Sequence, residues 1–262
     1  MTPSFRAAWY AAYEPLRLRA GRLFHDFDSS DDEPLVSVYI PTFNRSKLLM
    51  DRAIESVRHQ TYGNLEIIVA AHGCTDDTVK RVKGLADGRV RVIEVPRTRT
   101  YPPTAENHWL AGPVVPANAA LKECRGDWIA RIDDDDIWRP AHVESLLRFA
   151  TDFDFEFVSA LYQTHEGIPR PYTVHGVEIG GTQTWLYRSY LKFMKYNPDC
   201  WKKRRNRVND VDLQERFVKA GVRMGFLNKV VADVLPRPGE SEVGSKAYKS
   251  NPDLEREMSF AG

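Results

Sequence analysis

The stretch VSVYIPTFNRSKLLMDRAIESVRHQTYGNLEIIVAA, residues 36–71, reads as one strand–helix–strand unit. Two apolar runs, LVSVYIPT (35–42) and LEIIVAA (65–71), have strand length and are bounded by turn residues, so each is expected to be a buried strand. Between them SKLLMDRAIESVRHQ (46–60) places Leu49, Ala53, Ile54 and Val57 at helical spacing on one face. Two strands joined through a helix pair in parallel by a right-handed crossover, because a right-twisted strand feeding a right-handed helix returns to the sheet that way.

The alternation continues along the chain. Thr75 or Asp76 is placed to cap a helix over DDTVKRVKGLA, VRVIEV (90–95) is a third strand, DWIARID (127–133) a fourth, and PAHVESLLRFA opens with proline in a first helical turn. The expected fold is α/β, a mostly parallel open sheet flanked by helices. Ligands of such sheets bind beyond the carboxyl ends of the strands. PTFNR (41–45), AHGCTDD (71–77) and DDDD (133–136) each follow a strand, so all three should meet in one crevice. Four adjacent carboxylates repel, and nothing within the run neutralises them. A divalent cation supplied from outside is the expected partner, since such ions prefer hard oxygen ligands.

Three segments in order, VSVYIPTFNRSKLLMDRAIESVRHQTYGNLEIIVAAHGCTDDT, ANAALKECRGDWIARIDDDDIWRPAHVESL and VNDVDLQERFVKAG, resemble glycosyltransferase family 2, enzymes of the nucleotide-sugar-binding GT-A fold. The likeness runs from about residue 35 to about residue 235. It implies a nucleotide-binding half over about 34–140, an acceptor half over about 141–235, and a C-terminal tail over 236–262. It implies an inverting transferase that moves a sugar from a nucleotide diphosphate to a hydroxyl of a saccharide or lipid-linked acceptor, assisted by Mn²⁺ or Mg²⁺. By the same resemblance Pro41, Thr42, Phe43 and Arg45 lie at the nucleotide, with Phe43 offering a face on which a base stacks. The family's Asp-x-Asp falls on residues 133–135, making Asp135 the metal ligand and Asp133 or Asp134 the contact to ribose or a sugar hydroxyl. Asp136 is expected to cap the helix near Pro140 or to join the ligands. Asp210 takes the place of the general base, preceded by Asn209 where relatives carry glutamate.

Two departures bear on the donor. Relatives carry an acid where this chain has His72, and a neutral imidazole accepting the imide hydrogen of a pyrimidine favours UDP or dTDP over GDP. The family's Ala-Arg-Asn becomes Pro116-Ala117-Asn118, so an arginine is missing. PRTRTYPPTAENHWLAGPVVP (96–116) is expected to be irregular, with Arg97, Arg99, His108 and Trp109 either lining the donor pocket or lying on an exposed loop. KKRRNR (202–207) is either a phosphate-covering segment or a solvated one. The rival readings are a nucleotidyltransferase of related fold, which would want glycines after the first strand, and a non-catalytic sugar-nucleotide-binding protein.

Composition narrows the partners. Lysine and arginine number 37 against 36 acids, which leaves no global field for nucleic acid. Cys74, Cys124 and Cys200 are scattered without a CxxC pair, as expected in a reducing compartment. No apolar run has the length of a signal core or a membrane span, so the expectation is a soluble, cytoplasmic protein. Residues 1–33 are expected to form a basic helical extension, in which Phe5, Trp9, Tyr13, Leu16, Leu23 and Phe27 recur at helical spacing beside Arg6, Arg17, Arg19 and Arg22. Such a helix packs on its own domain, pairs two subunits, or lies at the membrane on anionic lipid.

Overall fold

The computed structural model describes residues 5–24, 33–244 and 246–247. Helix α1 (Phe5–Phe24) precedes strand β1 (Val36–Thr42), helix α2 (46–58), β2 (Leu65–His72), α3 (Thr78–Lys83) and β3 (Val90–Val95). Helices α4 (Ala105–Ala111) and α5 (Val114–Glu123) lead to β4 (Trp128–Arg131), β5 (Asp136–Trp138) and α6 (His142–Asp152). The second half holds β6 (Phe157–Thr164), a short hairpin of β7 (Tyr172–Val174) and β8 (Val177–Ile179), β9 (Leu186–Arg188), α7 (Asn209–Ala220) and β10 (Met224–Val234).

One sheet runs β3-β2-β1-β4-β9-β6-β10-β5. Its pairs are parallel except those of β9 with its two neighbours and of β5 with β10, so the sheet is mostly parallel. Both faces are covered. Period-two alternation sends Val36, Val38 and Ile40 of β1 and Ile67 and Val69 of β2 into the core under α2 and α6. The intervening Tyr39, Ile68 and Ala70 enter the opposite core, with Trp185 and Phe217. In α2 the four residues read from helical spacing, Leu49, Ala53, Ile54 and Val57, are all buried, although the helix widens to i→i+5 bonding over Leu49–Ile54.

The proline-rich segment is more regular than its composition suggests. Thr104 accepts a hydrogen bond from the Asn107 amide and caps α4. Pro116 falls in the first turn of α5, where its missing N–H leaves no intrahelical bond unmade. The expectation of an irregular 96–116 holds over 96–104 and fails from Ala105 on, because it counted prolines without their position relative to a helix start. After β10, Arg52 donates to the carbonyls of Leu235 and Pro236 and holds that segment against the domain.

Helix α1 docks on α7 through charge. Arg216 donates Nε to Glu14 Oε1 at 3.0 Å, with both side chains buried, and its guanidinium lies 3.8 Å from the centre of the Tyr10 ring. Burial raises the Glu14 carboxyl even against the pull of Arg216. Arg22 meets Glu156 at 2.6 Å and the Gly221 carbonyl at 2.8 Å. Arg216→Ala would strand Glu14 without its buried partner, while Asp212 keeps Lys203 at 2.8 Å. The expected loss is about 3–5 kcal/mol, read as a fall in Tm of roughly 10 °C in a thermal melt. A variant melting with the wild type would show that the buried Arg216–Glu14 pair contributes nothing to stability. Among the described residues no helix is long and apolar enough to cross a membrane.

Candidate active site

A crevice of about 490 Å³ opens beyond the carboxyl ends of β1, β2 and β4. Pro41, Thr42, Phe43, Arg45 and His72 line one side of it. Asp133, Asp134 and Asp135 lie on its floor, and Asp210 reaches it from the start of α7. All nine residues singled out from the sequence therefore share one cavity. The parallel register explains this: β1 lies between β2 and β4, so the segments that follow all three leave the sheet together.

The aspartates do different jobs. Asp133 Oδ1 accepts from Arg131 Nε at 3.1 Å and Nη2 at 2.8 Å. Asp134 is buried, accepts from Thr42 Oγ1 at 2.7 Å and from Arg45 Nη1 at 3.0 Å, and so staples the PTFNR segment to the acidic loop. Burial pushes its carboxyl up to about 6 against the opposing charge of Arg45. Asp136 caps no helix. It begins β5 opposite Val234, and burial followed by the neighbouring aspartates holds its carboxyl well above the usual range. The expectation that no chain neighbour neutralises the run also fails. Arg131 sits two residues before Asp133, on the same side of the strand, while Arg45 and Arg237 fold in from 90 and 102 residues away in sequence.

Asp135 differs from its neighbours. Its nearest cations are Arg45 at 3.6 Å and Arg237 at 3.8 Å, beyond hydrogen-bond reach, so its carboxylate oxygens keep their lone pairs for another ligand. One such carboxylate completed by two phosphate oxygens and water is a common way of holding Mg²⁺ or Mn²⁺, and the donor set fits. The aspartates do not close into an all-protein cage. Among the described residues the three potential ligands that gather are His165, Glu166 and Glu242, where Lys246 already pairs with both glutamates.

His72 is placed at the crevice wall with its ring engaged. Nε2 accepts from the Thr98 amide at 3.1 Å, which puts the proton of the neutral ring on Nδ1, facing Arg97 Nη1 at 3.3 Å. The Arg97 guanidinium also lies 3.6 Å from the centre of the Phe43 ring. Gly73, at φ +65, lets Arg97 come this close, because a Cβ there would stand 2.4 Å from that of Arg97. Burial first, and then Arg97, lower His72 to about 4. The same causes lower His108 to about 4, and burial lowers His142 to about 3. A histidine pKa depressed by folding contributes stability that is complete above the unfolded value near ~6.5 and is lost as pH falls through the folded value. The His72 ring resonances should therefore stay constant from pH 8 down to about 5.5, while Tm declines between about 6.5 and 4. A His72 titration midpoint near ~6.5 in a two-dimensional NMR series would refute this placement.

Asp210 lies in the first turn of α7, where the helix dipole favours an anion. Thr182 donates its hydroxyl to Asp210 Oδ2 at 2.6 Å, and the Val211 amide donates to Oδ1 at 2.8 Å. Beside it, Asn209 donates Nδ2 to the Leu110 carbonyl at 3.0 Å, whereas its buried Oδ1 has no hydrogen-bond partner. Of the residues expected either to line the donor pocket or to lie on an exposed loop, Arg97, His108 and Trp109 line the crevice. Thr182 and Arg237 were not selected from sequence, since nothing local marks a threonine or arginine that acts from another part of the chain. A second, larger groove adjoins the crevice at Tyr172 and runs between α1, α7 and residues 197–206. Its acids are all paired: Glu14 with Arg216, Asp199 with Arg6 and Lys202, Asp212 and Glu215 with Lys203. Arg204 and Arg205 stay exposed at its edge.

The sequence model of glycosyl transferase family 2 matches residues 37–217. The putative colanic acid biosynthesis glycosyl transferase WcaA of Escherichia coli (strain K12) is 32% identical over 177 residues, covering 60% of this chain and 59% of the relative. A UDP-Glc:alpha-D-GlcNAc-diphosphoundecaprenol beta-1,3-glucosyltransferase, WfgD of Escherichia coli, is 28% identical over 132 residues, 50% of this chain and 47% of the relative. The matched stretch thus spans less than two thirds of either relative. In fold the chain is similar to S. aureus TarS 1-349 in complex with UDP-GlcNAc, with a TM-score of 0.61 at 17% identity over 86% of this chain and 64% of that one. It is also similar to the mannosyltransferase PcManGT of Pyrobaculum calidifontis in complex with GDP-Man and Mn²⁺, with a TM-score of 0.59 at 18% identity over 88% of this chain and 68% of that one. A strand-end crevice holding the PTFNR segment, the aspartate run and a helix-start aspartate, in a chain that matches the family from its first strand to the helix bearing Asp210, makes this protein a member of glycosyl transferase family 2.

Proposed function

We propose that the protein transfers a sugar, with inversion, from a pyrimidine nucleotide diphosphate to a hydroxyl of a saccharide or lipid-linked acceptor. The observation that carries this reading is the presence of Asp210, oriented by Thr182, in the same crevice as Asp135 and the PTFNR segment. The acceptor hydroxyl gives its proton to the Asp210 carboxylate, its oxygen bonds to the anomeric carbon, and the bond from that carbon to the diphosphate breaks. A single displacement inverts the anomeric centre. Arg45 and Arg237, beside Asp135, lie where charge grows on the leaving diphosphate. Mn²⁺ or Mg²⁺ held by Asp135 and the two phosphates would add Lewis-acid stabilisation of that charge.

Phe43 and Arg97 present the planar surface for the base, and Asp133, fixed by Arg131, faces the ribose. With Nε2 taken by the Thr98 amide and its proton on Nδ1, His72 has no acceptor left for the imide hydrogen of a base. The preference for UDP or dTDP over GDP rests on the missing carboxylate at position 72, whose absence costs guanine, with two donors on one edge, more than uracil or thymine. Asn209 Oδ1 is the acceptor atom left for a substrate hydroxyl. Arg204 and Arg205, at the groove that adjoins the crevice, suit a phosphate-bearing acceptor like the diphospholipid in the name of the WfgD relative. The test is a panel of UDP-, dTDP- and GDP-sugars with Mn²⁺, read by slow donor hydrolysis and by NMR of the anomeric product. Retention of configuration, or metal-dependent binding without turnover of any donor, would overturn the proposal.

A further inference from the structure

Helix α1 is apolar on two opposite sides, and the domain uses one of them. Leu18 and Glu14 are buried against the domain, and Arg22 reaches Glu156 from the same side. On the other side Trp9, Leu16 and Leu23 are 54%, 64% and 81% exposed, followed by Phe24 at 88%. These three are spaced by sevens, and a straight helix drifts about 20° per seven residues, so they form one stripe about 40° wide, opposite the docked face. Arg17 and Arg19 are exposed along the stripe's flanks, Arg6 is exposed but turned to Asp199, and the helix's one acid, Glu14, lies buried beneath it. Arg204 and Arg205 extend the positive surface at the mouth of the groove alongside.

We infer that this face of α1 docks on an anionic lipid bilayer. An apolar stripe flanked by arginines, with a tryptophan near its start, matches the boundary between headgroups and acyl chains, where indole rings settle and arginines meet phosphate. A second copy of the chain would cover the same stripe but would set arginine against arginine with no acid between them, so charge favours lipid over self-association.

The full chain should sediment with vesicles containing phosphatidylglycerol and bind pure phosphatidylcholine vesicles at least about tenfold more weakly. The double variant Leu16→Glu/Leu23→Glu changes two exposed residues, so it should keep the wild-type melting curve while losing vesicle binding. Wild-type protein left in the supernatant with both vesicle types would overturn the inference, as would equal binding to both. So would a variant that folds normally and still binds. Light scattering that shows a dimer which the same double variant dissociates would assign the stripe to a second copy instead.

Discussion

Asp210→Asn should leave nucleotide binding intact and lower turnover by about 10²–10⁴, the usual contribution of a positioned base. The amide is close to isosteric and keeps an oxygen for one of the two donors, the Thr182 hydroxyl, which can rotate, or the Val211 amide, so the change is confined to one hydrogen bond at the helix start. What disappears is the negative charge that takes the acceptor's proton. Calorimetry with UDP and Mn²⁺ should give the wild-type Kd, while kcat measured with acceptor falls. Transfer at the wild-type rate would place the base elsewhere, and an equal loss of donor binding would move Asp210 into the nucleotide site.

The second large effect is expected at Asp135. Asp135→Asn removes the carboxylate that Arg45 and Arg237 leave open at 3.6 and 3.8 Å. An amide oxygen is a weaker ligand for a hard divalent ion, so the metal-dependent part of UDP binding should vanish and turnover should fall on the order of 10²–10³, in keeping with several kcal/mol of lost charge stabilisation. Asp134→Asn should behave differently. Asp134 is stapled to Thr42 and Arg45, so its loss should appear first as a lower Tm with metal dependence retained. Metal-dependent binding unchanged in Asp135→Asn but lost in Asp134→Asn would exchange the two assignments.

The contrast between Asp134 and Asp135 shows where reading residues in order stops being sufficient. Strand and helix periodicity is local, and its consequences appear as expected: Leu49, Ala53, Ile54 and Val57 are buried under β1 and β2, and the loops after β1, β2 and β4 meet in one crevice. That convergence needs no long-range information beyond the rule that parallel strands end on the same edge. The roles within the acidic run were not legible, because identical side chains differ only in what approaches them. Arg45 arrives from the end of β1 and Arg237 from the segment after β10. Helix α4 was missed because the prolines of its segment were weighed as breakers, while the cap at Thr104 depends on where the helix begins.

His72 makes the same point in one residue. Its position after the second strand was enough to put it at the crevice wall. Its protonation was not, since an imidazole on an open turn would titrate near ~6.5, whereas burial beside Arg97 lowers it to about 4. The alternation of apolar residues along this chain determines the sheet, the edge on which ligands bind, and the residues that line it. Which carboxylate is left open for a metal, which imidazole stays neutral, and which side of α1 remains uncovered are settled by tertiary contacts, because charge and burial depend on neighbours that lie far away in sequence.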